Sequence, residues 1–175
     1  LRKLSIMVAD PPSDPMAQRN HRSIAWPQAL LYADSMRSQC VGFIMPRVDG
    51  KRFHKAAVYN DQDDRFHHFG GGFTWLRSLL VARNIASAVA AIHERGYCVG
   101  DINESNILVA LNTLVTLIDC DSFQVRDPSS GTVYRCLVGK DEYTAPELQG
   151  KDYSDIDRTE VTDAFALGVL FFQLL

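Results

Sequence analysis

The sequence predicts an α+β fold in which a short antiparallel sheet precedes a mainly helical body. Three observations carry this. Two β-rich runs, Ile24 to Ala33 and Cys40 to Met45, flank a turn-forming stretch, Asp34 to Ser38. Apolar residues then recur at helical spacing from Thr74 to Arg95: Leu76, Leu79, Leu80, Ile85, Ala86, Val89, Ala90 and Ile92. Last, Asp163 to Leu175 is apolar nearly all round, as a buried helix would be.

Taken in order, Leu1, Leu4, Met7 and Val8 share one face of an opening helix, which ends at Asp10 because a residue before proline is pushed out of the helical region. Ser13 to Arg22 is a polar connector. Ile24 to Ala33 reads as one interrupted strand, with Pro27 favouring an edge or bulge. Cys40 to Met45 pairs with it antiparallel. Pro46 to Gly50 breaks the strand and marks the boundary to the helical part. Lys51 to Tyr59 reads as a short helix and Asn60 to Gly72 as a polar loop. Gly70 to Gly72 is a flexible lead-in rather than a phosphate loop, because no strand precedes it and no Lys-Ser/Thr follows it. The long helix stops at Gly96, a natural left-handed C-terminal cap. Ile107 to Val109 and Leu114 to Ile118 form a hairpin about the turn Leu111 to Thr113. Asp127 to Gly131 is a loop, Thr132 to Val138 a short strand, Ala145 to Glu147 the start of a short helix, and Thr162 the cap of the last helix.

With 46% hydrophobic and 22% charged residues, the 175-residue chain has the make-up of a soluble domain. A net charge of -3 without a basic block gives no footprint for nucleic acid. Cys40, Cys98, Cys120 and Cys136 are scattered, so neither a zinc site nor a disulfide framework is signalled, and a cytoplasmic setting with reduced thiols is the simpler reading. The longest apolar run, Ala164 to Leu175, is shorter than the ~20 residues that span a bilayer, so no membrane is indicated. The chain opens on Leu1 and stops inside an apolar helix. It is therefore read as a fragment whose partners include missing parts of its own chain, and alone it is expected to be inactive and prone to aggregate.

The stretch from Val99 to Phe123 carries the chemistry. Asp101 is placed to accept the proton of an attacking hydroxyl, while Asn106 and Asp119 offer the hard oxygen ligands that Mg2+ prefers. Folding the hairpin brings Asn106 close to Asp119. By themselves these residues read equally well as caps and turn formers.

Their order decides between the two readings. A strand and hinge, a long amphipathic helix, Asp101-x4-Asn106, a hairpin ending in Asp119, Ala145-Pro146-Glu147, and Asp163-x3-Leu167-Gly168 in an apolar helix occur in one register. That register resembles the catalytic domain of eukaryotic-like protein kinases over nearly the whole chain. The resemblance implies a partial protein-kinase-like two-lobe fold. Residues 1–45 would be a remnant of the small lobe, 46–50 the hinge, and 51–175 the large lobe, cut within its last helix. It also implies Mg-ATP and a protein substrate, with the γ-phosphate passing to serine or threonine hydroxyls. Asp101 matches the catalytic aspartate, and Asn106 and Asp119 match the metal ligands. Asp163 matches the buried aspartate that braces the catalytic loop, and Glu147 closes the activation segment. Met45 falls at the gatekeeper, Pro46, Arg47 and Val48 at the adenine-binding hinge, and Leu108 and Ile118 beside the adenine pocket.

The departures are specific. Val99 and Gly100 stand where His-Arg is usual, Asn103 where a phosphate-binding lysine is usual, and Asp119-Cys120-Asp121 where Asp-Phe-Gly is usual. Asp121 reads either as a further metal ligand or as a turn cap. Lys140 reads either as a solvated loop lysine or as a catalytic cation that replaces the charge missing at Asn103. These departures leave open a pseudokinase acting as a nucleotide-binding or protein-interaction module. Gly100 also suggests a small-molecule phosphotransferase.

Overall fold

Trp26 is the pin that joins the first helix to the body. In the computed structural model, which describes residues 1–50, 52–69 and 72–175, its indole N–H donates to the Met7 carbonyl at 2.7 Å. Its ring stacks on Tyr97 (5.8 Å between centroids) and tilts against Phe123. Helix α1 (Arg2–Ala9) buries Met7 against this cluster. It ends at Asp10, whose carboxylate accepts from the Tyr97 hydroxyl at 2.9 Å and pairs with Arg95.

Strand β1 (Ala29–Tyr32) pairs antiparallel with β2 (Cys40–Ile44), with an irregularity between Leu31 and Tyr32. The strand expected from Ile24 onward is divided at Pro27, which lacks an N–H for the ladder. Ile24 instead makes an isolated parallel bridge to Leu117.

A second sheet has the order β3-β4-β5, all antiparallel, with β3 at Phe53–Lys55, β4 at Ile107–Ala110 and β5 at Val115–Leu117. The helix expected over Lys51 to Tyr59 is thus wrong in its first half. Phe53 pairs with Ala110 and stacks on His21, so tertiary pairing overrides local preference, and only α2 (Ala57–Asn60) is helical. Lys51 lies outside the described residues. The polar stretch after it is also no loop: α3 (Gln62–Phe69) starts where the Asp61 carboxylate accepts from the N–H groups of Asp63 and Asp64. Gly70 and Gly71 lie outside the described residues.

Helix α4 (Trp75–His93) buries Val81, Ile85, Ala88, Val89 and Ile92 along one stripe against β5 and the last helix. Burying each of the valines and isoleucines contributes about 1.5–3 kcal/mol. It is long and apolar enough to cross a membrane, but half of that stretch is buried inside the protein. It ends at Gly96 with φ +69°. Asn84 ties it to the hairpin by donating to the carbonyl of Thr113, a turn residue with φ +70°.

The strand expected over Thr132 to Val138 shrinks to β7 (Val133–Tyr134), which pairs with β6 (Val125–Arg126), a strand with no signal in the sequence. Helix α5 (Glu160–Leu174) starts one turn earlier than expected. Thr159 is its cap, and Thr162 sits at the third position of a reciprocal capping box. Nor is α5 buried all round. Thr162, Asp163, Ala166, Leu170 and Leu174 form the buried stripe, while Val161, Phe165 and Phe172 are exposed.

Candidate active site

Asp163 fixes the entry to the site. It is 1% exposed, and its two oxygens accept from the Val99 N–H (2.8 Å), the Gly100 N–H (2.9 Å) and His93 Nε2 (2.9 Å). The chain then turns at Gly100, where φ is +76°. A side chain there would bring Cβ within 2.6 Å of Cys136 Cβ. Gly100 is thus required by conformation and by close approach together.

Asp101 follows at once, and its carboxylate is gripped by two amides. Asn103 Nδ2 donates to Oδ1 at 2.9 Å, and Asn106 Nδ2 donates to Oδ2 at 2.9 Å. Both amides also reach the Asp101 carbonyl. Asn103 orients in turn through Ser105, whose N–H it accepts at 2.9 Å. The Asn106 side-chain N–H2 is thus committed to Asp101, and its amide oxygen accepts no hydrogen bond among the described residues. The Asn106 main chain is tied to the second arm of the hairpin by the Ile118 N–H at 3.0 Å.

Asp119 sits at the far end of that arm with φ +60°, followed by a 3-10 turn over Cys120–Ser122. Cys120 is fully buried beneath it. Burial pushes the Asp119 carboxyl above its usual range, and the neighbouring carboxylates of Asp121 and Asp101 push it further. Carboxylate oxygen is the donor chemistry that suits a hard divalent cation, but no cluster of three or more acidic, histidine or cysteine side chains able to hold a metal is found here among the described residues. Asp121 is exposed on this turn. Its main-chain carbonyl accepts from Lys3 Nζ on α1 at 2.7 Å.

Lys140 is not on Asp101. It forms an ion pair with Glu104 at 2.5 Å and lies over the Tyr143 ring. The Glu104 hydrogen bond raises the lysine's pKa. Glu104 is shifted down: burial pushes it up, but the hydrogen bond from Lys140 and the lysine's charge work against that. The pair bridges the loop that carries Asp101 and the segment before Ala145. Glu147 is exposed, with no hydrogen-bond or ion-pair partner among the described residues.

Of the adenine-site candidates, Met45 and Ile118 pack on the core edge and Leu108 lies on β4 opposite Thr116. Pro46, Arg47 and Val48 line an open groove shared with Arg19, Arg22 and Phe53, which contains none of those three. The sequence reading passed over Asn103 as an orienting residue, and also Glu104, Gln124 and Lys3. The Asp-x-Asn-x-x-Asn spacing was the one local signal for Asn103; the others act across the chain.

Comparison with known proteins bears on this geometry. The sequence model of the protein kinase domain matches residues 36–175. The chain belongs to the protein kinase domain family. This kinase domain is 39% identical over 154 residues to Protein kinase YegI of Escherichia coli strain K12, covering 87% of the chain and 23% of that protein. It is 30% identical to a probable serine/threonine-protein kinase of Dictyostelium discoideum over 58% of the chain and 10% of that protein. It is also 32% identical to serine/threonine-protein kinase PknD of Chlamydia caviae over 55% of the chain and 12% of that protein. The chain therefore spans under a quarter of the length of each of these relatives. Short antiparallel sheets and a helical body fit a partial α+β fold of the kinase type. For the kinase domain family the phosphoryl donor is ATP.

Proposed function

We propose that the protein carrying this domain transfers the γ-phosphoryl group of Mg-ATP to serine or threonine hydroxyls of a protein substrate. The observation that carries the reading is the Asp101 carboxylate. Two asparagine amides orient it, and a loop anchored on buried Asp163 holds it. Asp101 would take the proton of the acceptor hydroxyl as its oxygen bonds to the γ-phosphorus and the bond to the β-γ bridging oxygen breaks, releasing ADP. Asn106 and Asp119 would hold Mg2+, which neutralises phosphate charge when bound. The printed names of the Dictyostelium and Chlamydia relatives support serine/threonine acceptors. Four free thiols, three of them buried, support a reducing, cytoplasmic setting.

A second reading is a pseudokinase that binds nucleotide without transfer. It is favoured by Asn103, whose amide is committed to Asp101 rather than reaching out to a phosphate. One experiment separates the two: phosphate transfer from labelled Mg-ATP to a generic protein substrate by the full-length protein, with Asp119→Asn alongside. Transfer by the wild type that Asp119→Asn removes supports the kinase. Nucleotide binding with no transfer by either supports the pseudokinase.

A further inference from the structure

Arg158, in the loop before α5, is buried without a counter-ion. It is 4% exposed, and none of the ion pairs among the described residues includes it. Its guanidinium lies over the Tyr153 ring at 3.9 Å from the centroid, Nη2 donates to the Val138 carbonyl at 3.1 Å, and Nε has no acceptor. An unpaired buried charge is destabilising in itself, so the neutral partners that compensate it are tightly constrained.

Its main chain is held just as firmly. The Arg158 N–H donates to Gln124 Oε1 at 2.7 Å, and Gln124 Nε2 donates to the Arg158 carbonyl at 2.8 Å. Gln124 is in turn paired through its own main chain with Cys98, in both directions, at 3.0 and 2.9 Å. Cys98 lies three residues before Asp101. Arg158 is thus anchored to the segment that leads into the catalytic loop.

Two glycines close on the arginine side chain from opposite segments. A Cβ at Gly100 would lie 3.2 Å from Arg158 Cγ and 2.6 Å from Cys136 Cβ. A Cβ at Gly139 would lie 3.0 Å from the Tyr153 ring and 3.1 Å from Arg158 Nη2. Gly100 precedes Asp101, and Gly139 precedes Lys140, the partner of Glu104.

We propose that Arg158 is a positioning residue: through Tyr153, Val138 and the close approach of Gly100 and Gly139, it clamps the 136–140 segment onto the catalytic loop and so sets the place of Asp101. The idea rests on the kinase reading for its consequence in turnover, but the clamp itself is testable without turnover. Arginine is required rather than any cation, because the contact uses a planar face and a directed N–H together.

The test uses the full-length protein and three measurements: hydrogen exchange of peptides covering 136–142 and 81–92, affinity for Mg-ATP, and kcat. In Arg158→Ala, exchange over 136–142 should rise about tenfold while 81–92 in α4 stays protected. Affinity for Mg-ATP should stay within about twofold and kcat should fall about tenfold or more, as for a misplaced catalytic group. Arg158→Lys should restore neither exchange protection nor kcat. Gly139→Ala pushes on the same contact from the other side and should reproduce the exchange change, which also covers an Arg158→Ala protein that fails to fold. Unchanged exchange over 136–142 in either folded variant overturns the proposal, as does full rescue by lysine. A wild type without transfer would count against the kinase reading, and the exchange comparison would still decide the clamp.

Discussion

Among the described residues the Asp101 carboxylate accepts hydrogen bonds only from the side-chain amides of Asn103 and Asn106, so substitutions around it have separable effects. Asp101→Asn removes the proposed proton acceptor while preserving size, and should lower transfer by about a hundredfold or more in the full-length protein, with nucleotide affinity retained. Lys140 faces Glu104, so Lys140→Ala should leave most of the turnover that Asp101→Asn removes; an equal loss in both would restore the catalytic role for the lysine. Asp119 supplies a pH prediction. Its carboxyl is shifted upward by burial and by the charges of Asp121 and Asp101, so it takes up a proton at a higher pH than an ordinary carboxyl. On the proposed role of Asp119 as a metal ligand, protons and Mg2+ compete for it, and Mg2+ affinity should therefore weaken as pH falls through that raised value. Asp121→Asn removes one like charge and should move the midpoint of the acid limb to lower pH, measured by Mg2+ titration of the nucleotide complex. A midpoint that rises or stays put would count against this arrangement.

Helix α5 serves the site through its first turn. Thr159 and Thr162 cap each other reciprocally, which holds the turn that carries Asp163. Thr159→Ala should lower stability by about 1 kcal/mol in urea unfolding and weaken the bracing of the catalytic loop. Asp163→Ala is more severe. It strips the acceptor from the Val99 and Gly100 N–H groups and from His93 at once, at roughly 1–3 kcal/mol for each buried donor left unpaired. Loss of transfer with no measurable loss of stability in Asp163→Ala would contradict that account. The β3-β4-β5 sheet and the Asn84 bond to Thr113 place the hairpin on α4 in the same manner, by cross-chain polar contacts rather than by local preference.

At the scale of the whole molecule, α5 presents an exposed apolar face. Phe172 is 88% exposed and Val161 72%, with Phe165 on the same side. Residues 1–175 on their own should associate as concentration rises in light scattering, and Phe172→Glu should reduce this; a monomer at every concentration would refute it. Much of the fold was legible in the sequence. Periodicity gave α1, α4 and the hairpin, Pro11 ended the first helix and Gly96 capped the long one, and the order from Asp101 to Asp163 pointed to the kinase domain family. Those features are local or depend only on spacing along the chain. The tertiary structure alone decided that Phe53–Lys55 is a strand, that Asn103 orients Asp101, that Lys140 belongs to Glu104, and that Arg158 is buried between Gly100 and Gly139. The physical reason is that each of these depends on which polar groups and apolar faces meet once the chain has packed. Local preference is worth a few tenths of a kcal/mol per residue, so a buried contact or an unmet hydrogen bond overrides it.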